Sequence, residues 1–336
     1  MCGFRTSRLR ALPRATRFLL GRMAGPRSRR TRRAAELLLM RAPALVGRAE
    51  SGGVYFVVST ILRRDDPRTE AILACARAFA DAAVPVHVLV LEFARDADHE
   101  VAQLMRGASL PRSATVRYFW RHAAPSGDGG FATAALRDLP VTARGVLTPG
   151  HPERTSYFVD GLPVATVTQL QHGLEVEHLG PDAAPIRRDD YDERRRLVRM
   201  LDLRPDTGQA AMRRYLDADG TCWLSAWVNP SSGRSGPVQV YSPTPMEFAG
   251  YRDVWARWVT RELHRSASAL VISDDAVSGR VVARSRHPAA HKVAVGPEPR
   301  PVHSAELLAF YQHVITPAWR PRRSGVSSPP APLHHP

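Results

Sequence analysis

The tightest constraint on this sequence is a forty-residue stretch in which strand, helix and strand signals follow without a break. Val54–Thr60 (VYFVVST) is short, β-branched and almost wholly apolar, the texture of a strand covered on both faces. Asp66 and Pro67 supply an N-cap and a first-turn proline. Ile72, Leu73, Ala76, Phe79, Ala80 and Ala83 then recur at helical spacing, and Val86–Phe93 (VHVLVLEF) is a second buried strand. A helical crossover returns the chain to the edge it started from, so the two strands pair in parallel. The fold class that follows is α/β.

Residues 151–245 change the rhythm. Short strands are punctuated there by Asp160-Gly161, His172-Gly173 and Asp219-Gly220, and an Asp-Gly pair between alternating runs is a hairpin signal. Tyr215-Leu216 before Asp219-Gly220 and Cys222–Val228 after it predict one such hairpin, closed by a type I′ turn. The stretch reads as an antiparallel meander. Over 246–318 the α/β pattern resumes. Thr244-Pro245-Met246-Glu247 has the form of a capping box, ahead of a helical stripe of Phe248, Tyr251, Val254, Trp255, Trp258, Val259 and Leu263. Leu270–Ile272 predicts a strand, Asp274 the cap of a helix through Val281 and Val282, and Val293–Val295 a further strand. A last helix is expected from Ser304 through Val314, ended by Pro317. The expected organisation is a Rossmann-like parallel sheet domain in two parts, 51–150 and 246–318, interrupted by a β-meander insertion over 151–245.

The net charge of +15 raises the question of a nucleic-acid partner, and its distribution answers against one. Residues 1–50 hold thirteen arginines against Glu36 and Glu50, so most of the excess lies in one basic segment. That segment has only Phe4 and Phe18 as aromatics and lacks the stacking groups of a single-strand binder. It reads as a disordered tail, or as an over-extended start ahead of Met23 or Met40; residues 319–336, rich in Pro and Arg, read as a second tail. No apolar run approaches the ~20 residues of a membrane span, and no secretory signal is present. The expected location is cytoplasmic, at most peripheral at the inner membrane face. Cys2, Cys75 and Cys222 stand far apart and read as small hydrophobes. The thirteen histidines show no paired ligand spacing, so no metal is expected.

Three stretches taken together resemble a known family. They are VYFVVSTILRRDDPRTEAILACARAFADAAVPVHVLVLEF, RRYLDADGTCWLSAWVNPSSGR, and the Trp255/Trp258 helix followed by ALVISDD. In this order they resemble the bacterial poly(glycerol-phosphate) glucosyltransferase-like proteins, which insert a β-meander accessory domain into the N-terminal Rossmann half of a retaining GT-B glycosyltransferase. The resemblance covers about residues 54–297. It implies an acceptor-side half that acts on a cell-envelope polymer or glycoconjugate. It also implies a β insertion for polymer recognition or self-association, and a glycan or polyol-phosphate acceptor as ligand. Members often carry a glycine pair after the first strand; here Ile61–Asp66 has none, and Gly52-Gly53 precedes the strand. The family's donor-binding Rossmann domain needs well over a hundred residues, and 41 follow Val295. The donor half is therefore expected to be absent, and the chain to be inactive alone.

Candidate site residues follow from the sheet edges. Arg68 and Thr69 stand in the first turn after strand one, and Asp274 and Asp275 at the end of a later strand, where open α/β sheets place ligands. A helix N-terminus beside an arginine can hold an acceptor phosphate, while Asp at such a position also serves as a cap. These four are the acceptor-binding candidates, and no catalytic residue is assigned. Glu92/Glu100 and Glu298/Glu306 have the Glu-x7-Glu spacing of nucleotide-sugar enzymes, but no Gly-rich loop precedes either. Arg187, Arg188 and Arg194–Arg196, interleaved with Asp189, Asp190, Asp192 and Glu193, read as a salt-bridged solvated face. Trp255 and Trp258 read as core. No Gly-x-Gly-x-x-Gly, P-loop, Ser-His-Asp or zinc signature is present, so no cofactor is expected. Three functions remain: a transferase half that is truncated or works with a separate donor domain, a non-catalytic acceptor-binding or activating partner of a catalytic subunit, or a nucleic-acid or anionic-polymer binder acting through the basic tail. The charge distribution favours the first two.

Overall fold

The computed structural model describes residues 52–60, 67–107, 109–125, 130–132, 138–241, 244–273, 275–295 and 313–315. The first strand, β1 (Val54–Val58), is buried at every position. Helix α1 (Pro67–Asp81) opens on the proline the sequence placed there and carries the chain to β2 (Val86–Val90), which pairs with β1 in parallel. Gly52 marks how tightly the strand is seated. A Cβ on it would lie 1.7 Å from the carbonyl oxygen of Ser268, so only glycine lets the two segments pass. Helix α2 (Ala97–Arg106), strand β3 (Thr115–Tyr118) and the single turn α3 (Phe119–His122) follow.

The chain then leaves the parallel layer. A two-residue strand, β4 (Phe131–Ala132), precedes ten strands laid down in succession. These are β5 (Arg144–Thr148), β6 (His151–Val159), β7 (Leu162–Leu170), β8 (Gly173–Leu179), β9 (Pro185–Tyr191), β10 (Arg196–Leu203), β11 (Ala210–Leu216), β12 (Cys222–Val228), β13 (Ser235–Val240) and β14 (Met246–Phe248). Each pairs antiparallel with its sequence neighbour, and β4 pairs with β10. The meander thus begins at β5, ahead of the dipeptide-rich stretch, and runs on through β14.

The turn chemistry splits the two Asp-Gly pairs. Asp160 and Gly161 both have positive φ (49° and 80°) and join the paired residues Val159 and Leu162, a type I′ hairpin. At Asp219-Gly220 only the glycine has positive φ. The Gly220 N–H donates to the Asp217 carbonyl at 3.1 Å, and the Asp217 carboxylate accepts from the N–H groups of Asp219 and Thr221. The hairpin is real, but the expected type I′ turn is a longer loop organised by Asp217.

After the meander come α4 (Tyr251–Leu263), β15 (Ala269–Ser273), α5 (Ala276–Arg284), β16 (Ala290–Val295) and β17 (His313–Ile315). Met246 and Phe248 pair with Val240 and Val238, so the expected capping box at Thr244–Glu247 gives way to an edge strand, and α4 starts after Gly250. The cap of α5 is Asp275. His313 and Val314, expected at the end of a helix, lie in β17; residues 296–312 are outside the described residues. Along the parallel sheet the order is β17-β16-β15-β1-β2-β3.

One hydrophobic core serves both sheets. Phe56, Phe79, Leu89 and Ile272 of the parallel layer belong to the same buried cluster as Val198, Tyr215, Trp223, Leu224 and Val238 of the meander. Phe119 joins them, with Trp223 and Trp258 rings 5.6 Å away on either side. The tryptophan stripe of α4 is core, as its spacing predicts. A smaller cluster around Ala165, Leu174 and Val176 fills the meander itself. No helix among the described residues is long and apolar enough to cross a membrane.

Candidate functional site

Numbered along the parallel sheet alone, the strand order is 3-2-1-4-5-6, so winding reverses between β1 and β15. Connections leaving the C-terminal ends of those two strands go to opposite faces and open a crevice between them, the usual ligand position in such sheets. Ser59 and Ser273 form its floor, and both are buried. The Ser59 hydroxyl donates to Asp275 Oδ2. Asp275 Oδ1 accepts from the N–H groups of Val277 at 2.8 Å and Ser278 at 2.7 Å, and its own N–H donates to Ser278 Oγ at 3.1 Å. Asp275 is thus the anchor of a capping box. Its carboxylate is occupied by the fold, which favours the cap over the acceptor ligand.

Two more sequence candidates stand in the first turn of α1, the helix that follows β1. Thr69 is buried in the first turn of α1. Arg68 stands beside it in that turn, its side chain outside the described residues, as is Asp274. Glu92 was not among the candidates except through its spacing to Glu100. Its N–H donates to the Ser59 carbonyl at 2.8 Å, so it leaves β2 at the crevice. Burial and the Asp275 carboxylate push the Glu92 carboxyl above its ordinary range, and Arg213, reaching over from β11, works against them. Glu100 lies on α2, and Glu298 and Glu306 are outside the described residues.

Beside the crevice the meander folds over the loop after β2 and leaves a cleft of 450 Å³. Phe93, Arg95 and Asp96 form one wall, and Gln171, His172, Glu175, Asp190 and Arg199 the other. The Arg199 guanidinium lies 3.9 Å from the Phe93 ring centroid and 2.7 Å from Asp190, which also holds Arg95 at 3.0 Å. Burial lowers and Asp190 raises the Arg199 pKa, and the net shift is upward. The lining therefore offers carboxylate and amide acceptors for hydroxyl groups beside an aromatic ring, with Arg95 and Arg199 sharing Asp190 and Arg95 also 3.6 Å from Glu175.

A second set of ion pairs closes the joint behind the cleft. Arg121 donates to Asp98 at 2.6 Å and approaches Asp192 at 3.4 Å, and Arg196 bonds Asp192 at 2.7 Å. Asp192 is fully buried, and Asp189 and Asp190 are nearly so. The aspartates expected on a solvated face thus lie inside: Asp190 and Asp192 meet Arg95 and Arg121 of the parallel layer, while Asp189, on the other face of β9, pairs with His178 and Arg187. Single-sequence reading sees the local pairs, Arg187 with Asp189, Arg196 with Asp192 and Arg199 with Asp190, but not Arg95 and Arg121, which come from far upstream to cover Asp190 and Asp192.

A parallel 3-2-1-4-5-6 sheet with a large antiparallel sheet inserted after its third strand is a glycosyltransferase-like fold, and comparison with solved structures bears this out. Staphylococcus aureus TarM, in a mutant complex with fondaparinux, α-GlcNAc-glycerol and UDP, superposes with a TM-score of 0.60 at 13% identity, over 72% of this chain and 50% of that one. A second TarM structure gives 0.61 at 13% identity over 72% and 49%. The structure of accessory secretory proteins 1, 2 and 3 from Streptococcus pneumoniae gives 0.57 at 12% identity over 78% and 56%. The expected resemblance to the poly(glycerol-phosphate) glucosyltransferase-like group holds at the level of the fold. The chain spans about half the length of the TarM structures it matches. No protein-family model and no curated protein matches the sequence.

Proposed function

We propose that the chain forms the acceptor-side half of a GT-B glycosyltransferase acting on a cell-envelope polymer or glycoconjugate, with the nucleotide sugar bound by a second Rossmann-like domain. The observation that supports this most is the meander folded over the C-terminal edge of the parallel sheet, next to the winding reversal, in a fold shared with TarM. The described residues hold one parallel sheet, and in a two-domain enzyme the diphosphate charge that develops during transfer needs positioned donors from the facing domain. In this reading Gln171 and Glu175 meet acceptor hydroxyls across the cleft, Asp190 holds Arg95 and Arg199 in its wall, and the first turn of α1, with Arg68 and Thr69, meets an acceptor phosphate. Asp275 holds the edge in place through its cap.

Calorimetry on the purified chain tests the reading. Glycerol-phosphate oligomers are expected to bind, UDP-glucose is not, and Arg68→Ala should weaken oligomer binding by about 1–3 kcal/mol, the range for a charge-assisted hydrogen bond. Tight UDP-glucose binding or sugar transfer by this chain alone would place the donor site here and end the half-enzyme proposal.

A second reading is a non-catalytic partner that presents acceptors to a catalytic subunit. The fold match to the accessory secretory protein structure favours it. Rescue of transfer on mixing the chain with a separate donor-binding subunit, without the chain binding UDP-glucose, fits both readings. A cleft or crevice variant that lowers turnover at saturating acceptor, with acceptor affinity kept, separates them, because a presenting partner binds acceptor but adds no group to the reacting centre.

A further inference from the structure

At the outer rim of the cleft three side chains from three separate elements converge. His99 projects from the first turn of α2, His172 sits in the turn between β7 and β8, and Glu193 in the turn between β9 and β10. One ligand atom from each lies within 4.8 Å of the others. The two imidazole rings stack with centroids 3.4 Å apart and an interplanar angle of 21°. Gln103, one helical turn beyond His99, places its side-chain amide 2.6 Å from Nε2 of His99; turned so that its oxygen accepts the Nε2 proton, the amide leaves Nδ1 of His99 free to ligate. No sequence spacing announces this set, because its members are brought together only when the meander docks on the parallel layer.

We propose that His99, His172 and Glu193 bind a divalent transition metal, zinc or a cation of similar preference, that clamps the meander to α2. Two imidazoles and a carboxylate are a donor set suited to zinc, which takes nitrogen ligands at about 2.0–2.1 Å in tetrahedral geometry. Ligand atoms around such an ion stand roughly 3.3 Å apart by that geometry. The observed triangle has to close by up to about 1.5 Å, and its three side chains are at least partly exposed. Three protein ligands leave the fourth position to water or to a hydroxyl or phosphate oxygen in the cleft, which His172 also lines.

The contrast with a second cluster of similar composition supports the assignment. Asp138, His178 and Asp189 also converge. There the Arg187 guanidinium already lies 2.6 Å from Asp138 and 2.7 Å from Asp189, so a cation would have to displace it. At the rim no arginine is paired with Glu193 among the described residues; the neighbouring Arg194 turns toward Asp98 at 4.0 Å.

The test uses the full chain, stripped of metal by chelation, titrated with Co²⁺ and followed by its visible absorption, then by Zn²⁺ competition. The expected result is one Co²⁺ per chain, displaced by Zn²⁺, with affinity at least ten-fold lower in each of His99→Ala, His172→Ala and Glu193→Gln. His178→Ala should leave affinity unchanged. Circular dichroism of the metal-free proteins checks that each variant is folded, and Glu193→Gln, on an exposed side chain, serves if a histidine variant is not. Absence of Co²⁺ binding at millimolar concentration overturns the proposal, as does binding that survives in His99→Ala and His172→Ala or is lost in His178→Ala.

Discussion

At the scale of single residues, the crevice edge is where charge and burial meet least comfortably. Glu92 has its carboxyl pushed up by burial and by the Asp275 carboxylate, which is itself tied to the α5 cap and to Ser59. An acid raised in the folded state stabilises the fold in its protonated form, and that contribution is lost as pH rises from the unfolded value, about 4.3, through the folded one. Glu92→Gln should therefore match the parent near pH 4 and exceed it at pH 7, read as the shift in urea midpoint between the two conditions. A variant less stable than the parent at pH 7 would mean that Arg213 holds the ionised carboxylate firmly and that the edge is electrostatically satisfied. Asp192 shows the opposite arrangement. Its carboxylate accepts from two arginine side chains and from the N–H groups of Arg194 and Arg196. A fully buried charge is tolerated only with partners of this number and quality.

Elements differ in how far the sequence announces them. β1, α1 and β2 were legible because a fully buried parallel strand leaves a continuous apolar run, and a proline at the first helical position leaves a sharp start. The N-cap of α5 moved from Asp274 to Asp275, a one-residue shift that hydrophobic pattern cannot resolve, because both aspartates precede the same apolar stripe. Met246–Phe248 carried a helix-start signal and became an edge strand, because the unpaired side of β13 takes up its backbone groups. Strand ends alone pointed to the edge where Asp275 caps α5, and the first-turn signal to where Thr69 lies in α1. The cleft was not legible, since Arg95, Asp190 and Arg199 meet only through tertiary pairing. The hairpin between β11 and β12 gives the element-scale prediction. Gly220 has φ of +81°, and a Cβ there would lie 2.8 Å from the Phe131 ring. Gly220→Val should cost about 1–3 kcal/mol in urea unfolding, from backbone strain together with displacement of that ring. A neutral result would mean that β4 is not seated on this loop.

For the whole molecule, the two sheets are coupled through shared interior. Phe93 lies between Trp120 at 5.1 Å, tilted, and Tyr215 at 5.9 Å, edge-on, and Tyr215 meets Tyr251 at 6.5 Å, so aromatic contact runs from the parallel layer through the meander to α4. The meander is thus an integral half of the core, whatever it adds by way of recognition. Replacing residues 130–248 with a short Gly-Ser linker should leave a protein that binds a hydrophobic dye and melts without a cooperative transition, since the buried faces of Trp120 and Trp258 would open to water. A cooperative melt close to that of the intact chain would show that the parallel layer stands alone.

The order of strands in the two sheets also fixes an order in time. Every strand from β6 to β14 pairs with the one made just before it, so the meander assembles from short closures. The centre of the parallel sheet must bring β15 to β1, and the bond from Ser59 to Asp275 there spans 216 positions of chain. Long closures are slow because their entropy must be met before any contact rewards it. The prediction is that pulse-labelled hydrogen exchange during refolding finds the amides of β7 to β12 protected before those of β1 and β15; the reverse order would refute it. Until that last closure the crevice does not exist, so the meander is a scaffold on which the ligand edge is completed rather than an ornament added to a finished one.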